Sequence, residues 1–260
     1  MAKLDDDSKS VTARALAVLD AFDGGHRHQT LASISRRAGL PLTTTHRFVN
    51  QLVEAEALIR CADGAYEIGS KLWRLGILAS VHSDLREVAL PYMEDLFQLG
   101  IDAVHIGVLD GVRCLVIDRI SGSRSISVLS KPGARLPLYA SGIGKVLLAH
   151  GTDELQEAVL NSMDKITIHT VTDAAEMRRQ MALVKQQGFA SAKEEISLGA
   201  MSLGVPITGY GGKVIGALGV VVAARKDVSH LIPVLKVTGQ ALSRKLAAAG
   251  MADPTGLRAK

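Results

Sequence analysis

Residues 30–50 read TLASISRRAGLPLTTTHRFVN, which is two helix-forming runs separated by a Gly-Leu-Pro break. Thr30 can cap the first run, whose apolar residues at positions 31, 34 and 38 share one helical face. Gly39 supplies the positive φ that ends a helix. A second helix is expected after Pro41, and its core-facing residues are Thr45, Phe48, Val49 and Leu52. Two helices joined by a tight turn in this way form a helix-turn-helix.

The outward face of the second helix carries side chains suited to DNA. These residues are Thr43, Thr44, His46, Arg47 and Asn50. Short hydroxyls, arginine and asparagine read base edges and phosphates in a major groove. Residues 24–53 hold four arginines, three histidines and no carboxylate, so Arg36 and Arg37 on the first helix are further candidate DNA contacts. A solvated helical hairpin inside a larger α domain is the alternative that this segment alone leaves open.

The residues around this motif favour DNA binding further. Residues 58–68 predict two short strands joined at the Asp63-Gly64 turn, which would form a wing and bring Arg60 near phosphates. A hairpin used only for packing is the alternative. Ahead of the motif, apolar residues at helical spacing follow a capping Ser10: Val11, Ala15, Val18, Leu19 and Phe22. Three helices and a hairpin predict a winged helix-turn-helix over residues 10–69, preceded by a disordered tail at 1–9.

Length and composition limit the classes of protein that fit. The chain has 260 residues, enough for two domains, and a formal net charge of +4 that is compatible with a polyanionic partner. Its two isolated cysteines exclude a zinc finger by their spacing and argue against a disulfide framework. No apolar run approaches the roughly 18 residues of a membrane span, so we expect a cytoplasmic protein without membrane contact. With 3% aromatic residues, a DNA duplex is a better partner than single-stranded nucleic acid.

Residues 70–83 form an amphipathic stretch between the winged helix and the rest of the chain. Its large apolar residues are Leu72, Trp73, Leu75, Ile77 and Leu78. They present more apolar surface than one hairpin can cover, so we expect a linker helix that packs on a second subunit. A helix folded back on its own domain is the alternative.

Residues 84–248 alternate helical and strand patterns after a helix capped by Asp84. The expected strands are 104–109, 114–118, 125–129, 202–208 and 214–223, and the expected further helices are 142–150, 153–161, 174–187 and 232–248. This order predicts an α+β domain with an antiparallel sheet flanked by helices, followed by a tail at 249–260.

The second domain offers little that resembles a catalytic centre. The sequence has no Gly-x-Ser-x-Gly, His-Glu-x-x-His, Cys-x-x-Cys or Walker motif, so we expect no catalytic residue, metal or cofactor. An enzyme with an accessory winged helix, using Glu194, Glu195 or His105, is kept as an alternative, as is a module whose winged helix binds protein. Residues 139–148 place small residues ahead of a helix whose free N–H groups and dipole favour a carboxylate, although such a start is also an ordinary helix cap.

Several motifs follow one another along the chain. They are TLA at 30–32, GLP at 39–41, Thr44, HR at 46–47, YEIGSKLWRLG at 66–76, DLREVA at 84–89, LPLYASGIGK at 136–145, GFA at 188–190, EE at 194–195 and Gly199. Over about residues 10–248 the chain thereby resembles the IclR-type bacterial transcription regulators. The resemblance implies a C-terminal GAF-like domain that binds a small metabolite, often an organic acid. It also implies a homodimer or a dimer of dimers on an operator in double-stranded DNA.

The resemblance also assigns an effector pocket to residues of this chain. They are Val128, Leu136, Ser141, Gly142, Ile143, Ala192, Ser202, Gly219 and Val221. The amides of 141–143 would hold the carboxylate of the effector. Members that bind glyoxylate or pyruvate tend to have Asp at the position of Ala192 and serines at those of Gly219 and Val221. The loss of three polar groups predicts a drier, roomier pocket for a larger acid, such as an aromatic or long-chain carboxylate.

Together these expectations describe a ligand-responsive regulator of a catabolic operon. Acid binding would change the relative placement of two winged helices through the linker helix. Two departures from the family pattern bear on local stability. Thr45 stands where the recognition helix usually buries Val, and Ala57 stands where the turn before the wing usually has Gly.

Overall fold

The computed structural model describes residues 10–78, 83–122 and 130–251. The chain divides into two compact units, residues 1–80 and residues 81–260. Each unit has a hydrophobic core of its own.

The first unit is a winged helix-turn-helix, as predicted. Its helices are α1 (Val11–Asp20), α2 (Leu31–Ala38) and α3 (Leu42–Glu54), and its hairpin strands are β1 (Leu58–Arg60) and β2 (Tyr66–Ile68). The side-chain oxygens of Ser10 and Thr30 cap α1 and α2. Gly39 ends α2 with a φ of 63°. The core of the unit is formed mainly by Val18, Ile34, Phe48, Val49 and Leu58.

The two departures from the family pattern are accommodated locally. Thr45 is fully buried, and its hydroxyl donates to the Pro41 carbonyl oxygen 3.0 Å away. The bond satisfies a polar group that would otherwise be costly in the core. In the turn before the wing, Glu56 takes the left-handed conformation with a φ of 60°, so Ala57 needs no glycine-like freedom.

The linker helix is shorter than predicted. Helix α4 spans Ser70–Gly76 with Ile77 as its C-cap, whereas the sequence pattern extends over 70–83, of which residues 79–82 lie outside the described part. The low helix propensity of Gly76 accounts for an end at this point. Within the described part of this stretch, four large apolar side chains are more than half exposed: Trp73, Leu75, Ile77 and Leu78. The apolar surface that motivated the prediction is therefore present.

The second unit is built on a six-stranded antiparallel sheet. Its strands are β3 (Ala103–Asp110), β4 (Arg113–Ser121), β5 (Arg135–Pro137), β6 (Ala190–Lys193), β7 (Ala200–Thr208) and β8 (Val214–Ala223), and their order is β5-β4-β3-β8-β7-β6. Its helices are α5 (Ser83–Gln98), α6 (Gly142–Ala149), α7 (Asp153–Leu160), α8 (Ala174–Gln187) and α9 (Leu231–Ala248). The predicted α+β class is confirmed.

Helices cover both faces of this sheet. Helices α5 and α9 contribute to one hydrophobic cluster with Val104 and Ile106 of β3. Helices α6, α7 and α8 contribute to another with Cys114 and Val116 of β4. Within the described residues we find no helix with the length and apolarity needed to cross a bilayer.

Several element bounds differ from the sequence prediction. Strands β5 and β6 were not expected, because edge strands of three or four residues carry little periodic signal. The expected strand at 125–129 lies outside the described residues. Helix α9 ends at Ala248, where the tail was expected to begin, and the Tyr210 N–H donates to the Met251 carbonyl oxygen at 2.7 Å just beyond it.

Two rows of cross-strand neighbours position the start of α6. His105, Gly219 and Gly204 form the first row, and Val221 and Ser202, two residues along the same strands, belong to the second. Residues two apart on a strand face the same side of a sheet. A Cβ on Gly204 would lie 2.7 Å from the Ile143 nitrogen, so the helix rests directly on the backbone of the first row. Val221 and Ser202 of the second row therefore lie beside the N-terminus of α6.

Candidate functional site

The residues predicted to meet DNA lie on the outer face of α3. Thr43, His46, Arg47 and Asn50 are exposed, and Thr44 is partly exposed. The Asn50 Nδ2 and His46 Nε2 atoms lie 3.4 Å apart, one helical turn from each other. The Arg47 guanidinium carbon lies 5.2 Å from the centroid of the Phe48 ring. A polar helix face of this composition suits a major groove.

The other arginine candidates differ in their surroundings. Arg36 and Arg60 are exposed. Arg37 instead joins parts of its own domain, because its Nε donates to the Ala21 carbonyl oxygen at 2.7 Å and its guanidinium pairs with Asp23. A phosphate would have to compete with these bonds. Arg37 is therefore the weakest of the candidate DNA contacts, and its main role in the structure is to hold the loop after α1.

A histidine between two carboxylates fastens the wing. His28 Nε2 lies 2.7 Å from Asp63 Oδ2, and His28 Nδ1 lies 2.9 Å from Glu67 Oε1. The hydrogen bond to Asp63, followed by that to Glu67, raises the pKa of His28 above its ordinary value. Potential metal-ligand atoms of His28, Glu67 and Cys61 lie within 4.8 Å of one another, a proximity that cysteine spacing did not indicate. Both imidazole nitrogens already have carboxylate partners, so the group acts here as a tie between the wing and the loop before α2.

A cavity opens in the second unit beside the N-terminus of α6. It comprises about 380 Å³ of space not filled by atoms, part of it open to solvent. Five residues of the predicted effector pocket line it: Leu136, Ser141, Ala192, Ser202 and Val221. Val128 lies outside the described residues. Their meeting in one cavity is what a binding site requires.

Gly142, Ile143 and Gly219 do not line the cavity but shape its base. A Cβ on Gly219 would lie 2.4 Å from Ile143 Cγ2 and 2.7 Å from His105 Nε2. Gly219 therefore makes room for the imidazole of His105, its neighbour on β3. A Cβ on Gly142 would lie 2.7 Å from the Leu203 carbonyl carbon, so any side chain there would disturb the packing of α6 on β7.

One amide of the expected cradle already has a partner within the protein. The Gly142 N–H donates to Ser202 Oγ at 2.9 Å, and the Gly144 N–H donates to Ser141 Oγ at 3.1 Å. The Ile143 amide is pressed against Gly204. Antiparallel pairing brings Ser202 of β7 to the helix end, which is why the amide is already satisfied. Within the described residues the Ser202 hydroxyl accepts this bond and donates none, so its proton can be offered to a ligand.

Buried polar side chains also reach the cavity beside its apolar walls. His105, Ser130 and Glu195 line the cavity and are at most 6% exposed. Among the described residues, both ring nitrogens of His105, the Ser130 Oγ and the Glu195 Oε2 have no hydrogen-bond partner. Burial, with a smaller effect of the Arg119 charge, lowers the pKa of His105 to about 3, so its imidazole is neutral.

A buried ion pair holds Glu195 at the cavity wall. The Lys145 Nζ donates to Glu195 Oε1 at 2.5 Å, and the two side chains are 2% and 7% exposed. Lys145 also donates to Gln180 Oε1 at 2.8 Å and to the Ser191 carbonyl oxygen at 3.3 Å. Burial raises the pKa of Glu195 and lowers the pKa of Lys145, and the charge of each partner opposes the shift of the other. The pair occupies Oε1 and leaves Oε2 for another donor.

Sequence reasoning named His105 and Glu195 as residues of a rival enzyme, and Glu195 also as part of the family motif at 194–195, but it assigned neither to the effector pocket. The two lie 90 positions apart, and β3 and the segment after β6 bring them to one cavity. One signal was present: a lone histidine in the apolar run VHIGV at 104–108. Its lack of a partner in the described structure, which periodicity cannot reveal, makes it a candidate ligand contact.

Comparison with known proteins finds a matching family for each of the two units. The family described as IclR helix-turn-helix domain matches residues 11–58, and that described as Bacterial transcriptional regulator IclR C-terminal matches residues 78–244. The HTH-type transcriptional regulator XynR of Escherichia coli K12 is 30% identical over 245 residues, covering 90% of this chain and 95% of its own. The Pca regulon regulatory protein of Pseudomonas putida is 31% identical and covers 83% of this chain and 75% of its own.

A solved structure extends the likeness to both units. It is an IclR homolog from Microbacterium hydrocarbonoxydans complexed with 4-hydroxybenzoate, 34% identical, with a TM-score of 0.81 over 92% of this chain and 100% of that one. These relatives and families are transcriptional regulators and not enzymes, so the enzyme alternative is wrong. The chain belongs to the IclR family of bacterial transcriptional regulators, with an N-terminal helix-turn-helix for DNA and a C-terminal effector-binding domain.

Proposed function

We propose that this protein is a ligand-responsive regulator of a catabolic operon, which binds double-stranded operator DNA in the cytoplasm and senses a small organic acid. One observation carries the proposal. The same chain has an exposed polar recognition face on α3 and a cavity whose buried polar groups lack partners among the described residues. The first suits a major groove, and the second suits a small polar ligand.

On DNA, α3 would enter the major groove. Thr43, Thr44, His46, Arg47 and Asn50 would contact base edges and nearby phosphates. Arg36 of α2 and Arg60 of β1 are exposed and would contact phosphates. Such contacts make the affinity fall as salt rises, because neutralised phosphates release counterions.

The acid would be aromatic or otherwise larger than two or three carbons. Ser141 and Ser202 place hydroxyls at the N-terminus of α6, where the helix dipole favours a carboxylate. Leu136, Ala192 and Val221 supply the apolar wall for its body. The related structure that holds 4-hydroxybenzoate supports this size class.

We further propose a homodimer or a dimer of dimers that assembles through residues 70–83. The described apolar side chains of this stretch, Trp73 and Leu78 above all, are exposed to a degree that monomers rarely tolerate. A dimer would fit half-sites about 10 base pairs apart or a multiple of that. Sedimentation that shows only monomers at micromolar concentration, with and without DNA, would contradict the assembly.

Acid binding would act on DNA binding through two arrangements of the winged helices. An effector shifts such an equilibrium only as far as its affinities for the two arrangements differ. The affinity for DNA and the affinity for the acid are therefore linked.

A DNA-binding measurement tests the regulator proposal. The full chain is titrated by fluorescence anisotropy with duplex fragments from upstream of its own gene and with shuffled fragments of equal length and composition. We expect one upstream fragment to bind at least about a thousandfold more tightly than its shuffled control at physiological salt. Equal binding to all fragments would contradict sequence-specific regulation.

A further inference from the structure

We propose that the cavity takes a hydroxylated aromatic acid and that Glu195 recognises its hydroxyl group. The inference rests on the proposed function, because it names the chemistry of the acid sensed in that cavity. It starts from three side chains that are more than nine-tenths buried and that each carry a polar atom without a hydrogen-bond partner among the described residues: His105, Ser130 and, at its Oε2 alone, Glu195. Buried polar groups are almost always hydrogen-bonded, so three unpaired groups in one cavity point to a polar ligand.

Glu195 sets the strictest requirement on that ligand. Its Oε1 is held by the Lys145 ammonium. Its Oε2 has no partner with hydrogen-bond geometry in the described structure, although the backbone N–H of Val171 acts on the carboxyl and lowers its pKa. A carboxylate can only accept hydrogen bonds. An ether oxygen or a bare ring edge would leave Oε2 unpaired, and a ligand carboxylate would be repelled by it. A hydroxyl group donates and satisfies it.

The carboxylate of the ligand belongs at the start of α6. The Ser202 hydroxyl accepts from the Gly142 N–H, so its own proton is free to be donated. The neutral His105 offers one ring N–H. A Cβ on Gly219 would lie 2.7 Å from His105 Nε2 and 2.4 Å from Ile143 Cγ2 of α6, so the imidazole lies near the start of this helix. Both donors and the positive end of the helix dipole suit one carboxylate.

Charge balance limits the ligand to one carboxylate. Lys145 and Glu195 neutralise each other, and His105 is neutral. A second carboxylate would meet no buried cation among the residues that line the cavity. A dicarboxylate is therefore disfavoured, whereas a phenolic hydroxyl provides a donor without a further charge. The apolar walls at Leu136 and Val221 suit the ring between the two polar ends.

Calorimetric titration of the full-length protein separates these features. The probes are benzoate, the 2-, 3- and 4-hydroxybenzoates, the matching methoxybenzoates, and terephthalate. We expect at least one hydroxybenzoate to bind at least about tenfold more tightly than benzoate, because an unmet hydrogen bond in a buried site costs about that factor. Its methoxy counterpart, which keeps the oxygen but has no proton to donate, should lose this gain, and terephthalate should bind most weakly.

Two matched variants assign the effect to Glu195. Glu195→Gln keeps the size of the side chain but removes the charge that strengthens the hydrogen bond, so the preference for the hydroxy acid should fall at least about threefold. Glu194→Gln is the control, because Glu194 accepts from the Gly199 N–H at 2.7 Å and is not among the residues that line the cavity. It should keep the preference. If Glu195→Gln does not fold, the methoxy and hydroxy pair on the unmodified protein decides.

The outcomes distinguish this inference from the proposed function. Benzoate and all hydroxybenzoates binding equally would overturn the role of Glu195, while acid sensing stands. An unchanged preference in a folded Glu195→Gln protein would overturn it too. Binding of none of these acids would overturn both the hydroxyl recognition and the aromatic acid class, and would leave only DNA binding.

Discussion

The winged helix and the cavity hold their histidines in opposite ways. His28 is exposed, and its two ring nitrogens are bonded to Asp63 and Glu67 at 2.7 and 2.9 Å. His105 is fully buried, and its ring nitrogens have no partner among the described residues. The pKa of His28 is raised by its carboxylates, whereas burial lowers the pKa of His105 to about 3.

This difference separates a polar group with a structural role from one that we propose binds a ligand. The carboxylates of Asp63 and Glu67 hold His28 in place and tie the wing to its domain, so this structural role accounts for the histidine. A buried polar group without a partner, such as His105, typically lowers the free energy of unfolding by about 1–3 kcal/mol. A group kept at such a cost is suited to binding a ligand that supplies the missing bonds.

The largest effect is expected at the buried ion pair of the cavity. Lys145→Met leaves the Glu195 carboxylate buried without its cation, and the free energy of unfolding should fall by about 3–5 kcal/mol. The double variant Lys145→Met/Glu195→Leu should recover most of this loss, because it removes both charges. Urea unfolding of the two variants measures the difference. A Lys145→Met protein as stable as the parent would show that the pair does not stabilise the cavity.

Two arginines of the winged helix offer the next contrast. Arg47→Ala should weaken operator binding by about 1–3 kcal/mol if the side chain contacts a base, with little change in stability. Arg37→Ala should lower stability instead, because Arg37 bonds Ala21 and Asp23. Anisotropy titration and urea unfolding are compared for both variants. Loss of DNA binding in Arg37→Ala but not in Arg47→Ala would contradict this assignment of the two arginines.

At His105 we expect a smaller effect with a distinct pH dependence. The folded pKa of about 3 lies below the ordinary value of 6.5, so only the unfolded chain takes up a proton between these values. Above pH 6.5 His105 is neutral in both the folded and the unfolded chain. As the pH falls from 6.5 towards 3, protonation stabilises only the unfolded chain, so the free energy of unfolding falls. His105→Leu removes the unpaired group and should be about 1 kcal/mol more stable than the parent at pH 7. The difference in their free energies of unfolding should grow as the pH falls, because the variant lacks the group that titrates. A variant whose advantage shrinks in acid would contradict the buried neutral imidazole.

The smallest effect is expected at His28, with the opposite pH dependence. Its raised folded pKa means that the protonated form stabilises the wing fully below the ordinary value of 6.5. This contribution is lost as pH rises through the folded pKa. His28→Gln should therefore be less stable than the parent in mild acid, and the two should converge at alkaline pH. An NMR titration that places the His28 pKa below 6.5 would contradict the two carboxylate contacts.

The sequence predicted the winged helix better than the cavity, for a physical reason. Helix caps such as Thr30, the left-handed Gly39 and the Asp63-Gly64 turn act within a few residues, so local chemistry identifies them. The cavity depends on strand register and on pairs distant in sequence. Pairing brings Ser202 to the Gly142 amide, and Lys145 meets Glu195 from 50 positions away. The family resemblance supplied Ser141 and Ser202, but the resident polar groups of this chain were visible only in three dimensions.

A single linkage measurement tests the regulator itself. The operator affinity of the full chain is measured with and without a saturating hydroxybenzoate, and the affinity for that acid is measured with and without the operator duplex. If the two units of this chain form one switch, each ligand should change the other's dissociation constant by the same factor, about 5- to 150-fold. An acid that calorimetry shows to be bound, yet leaves operator affinity unchanged, would contradict an acid-responsive regulator.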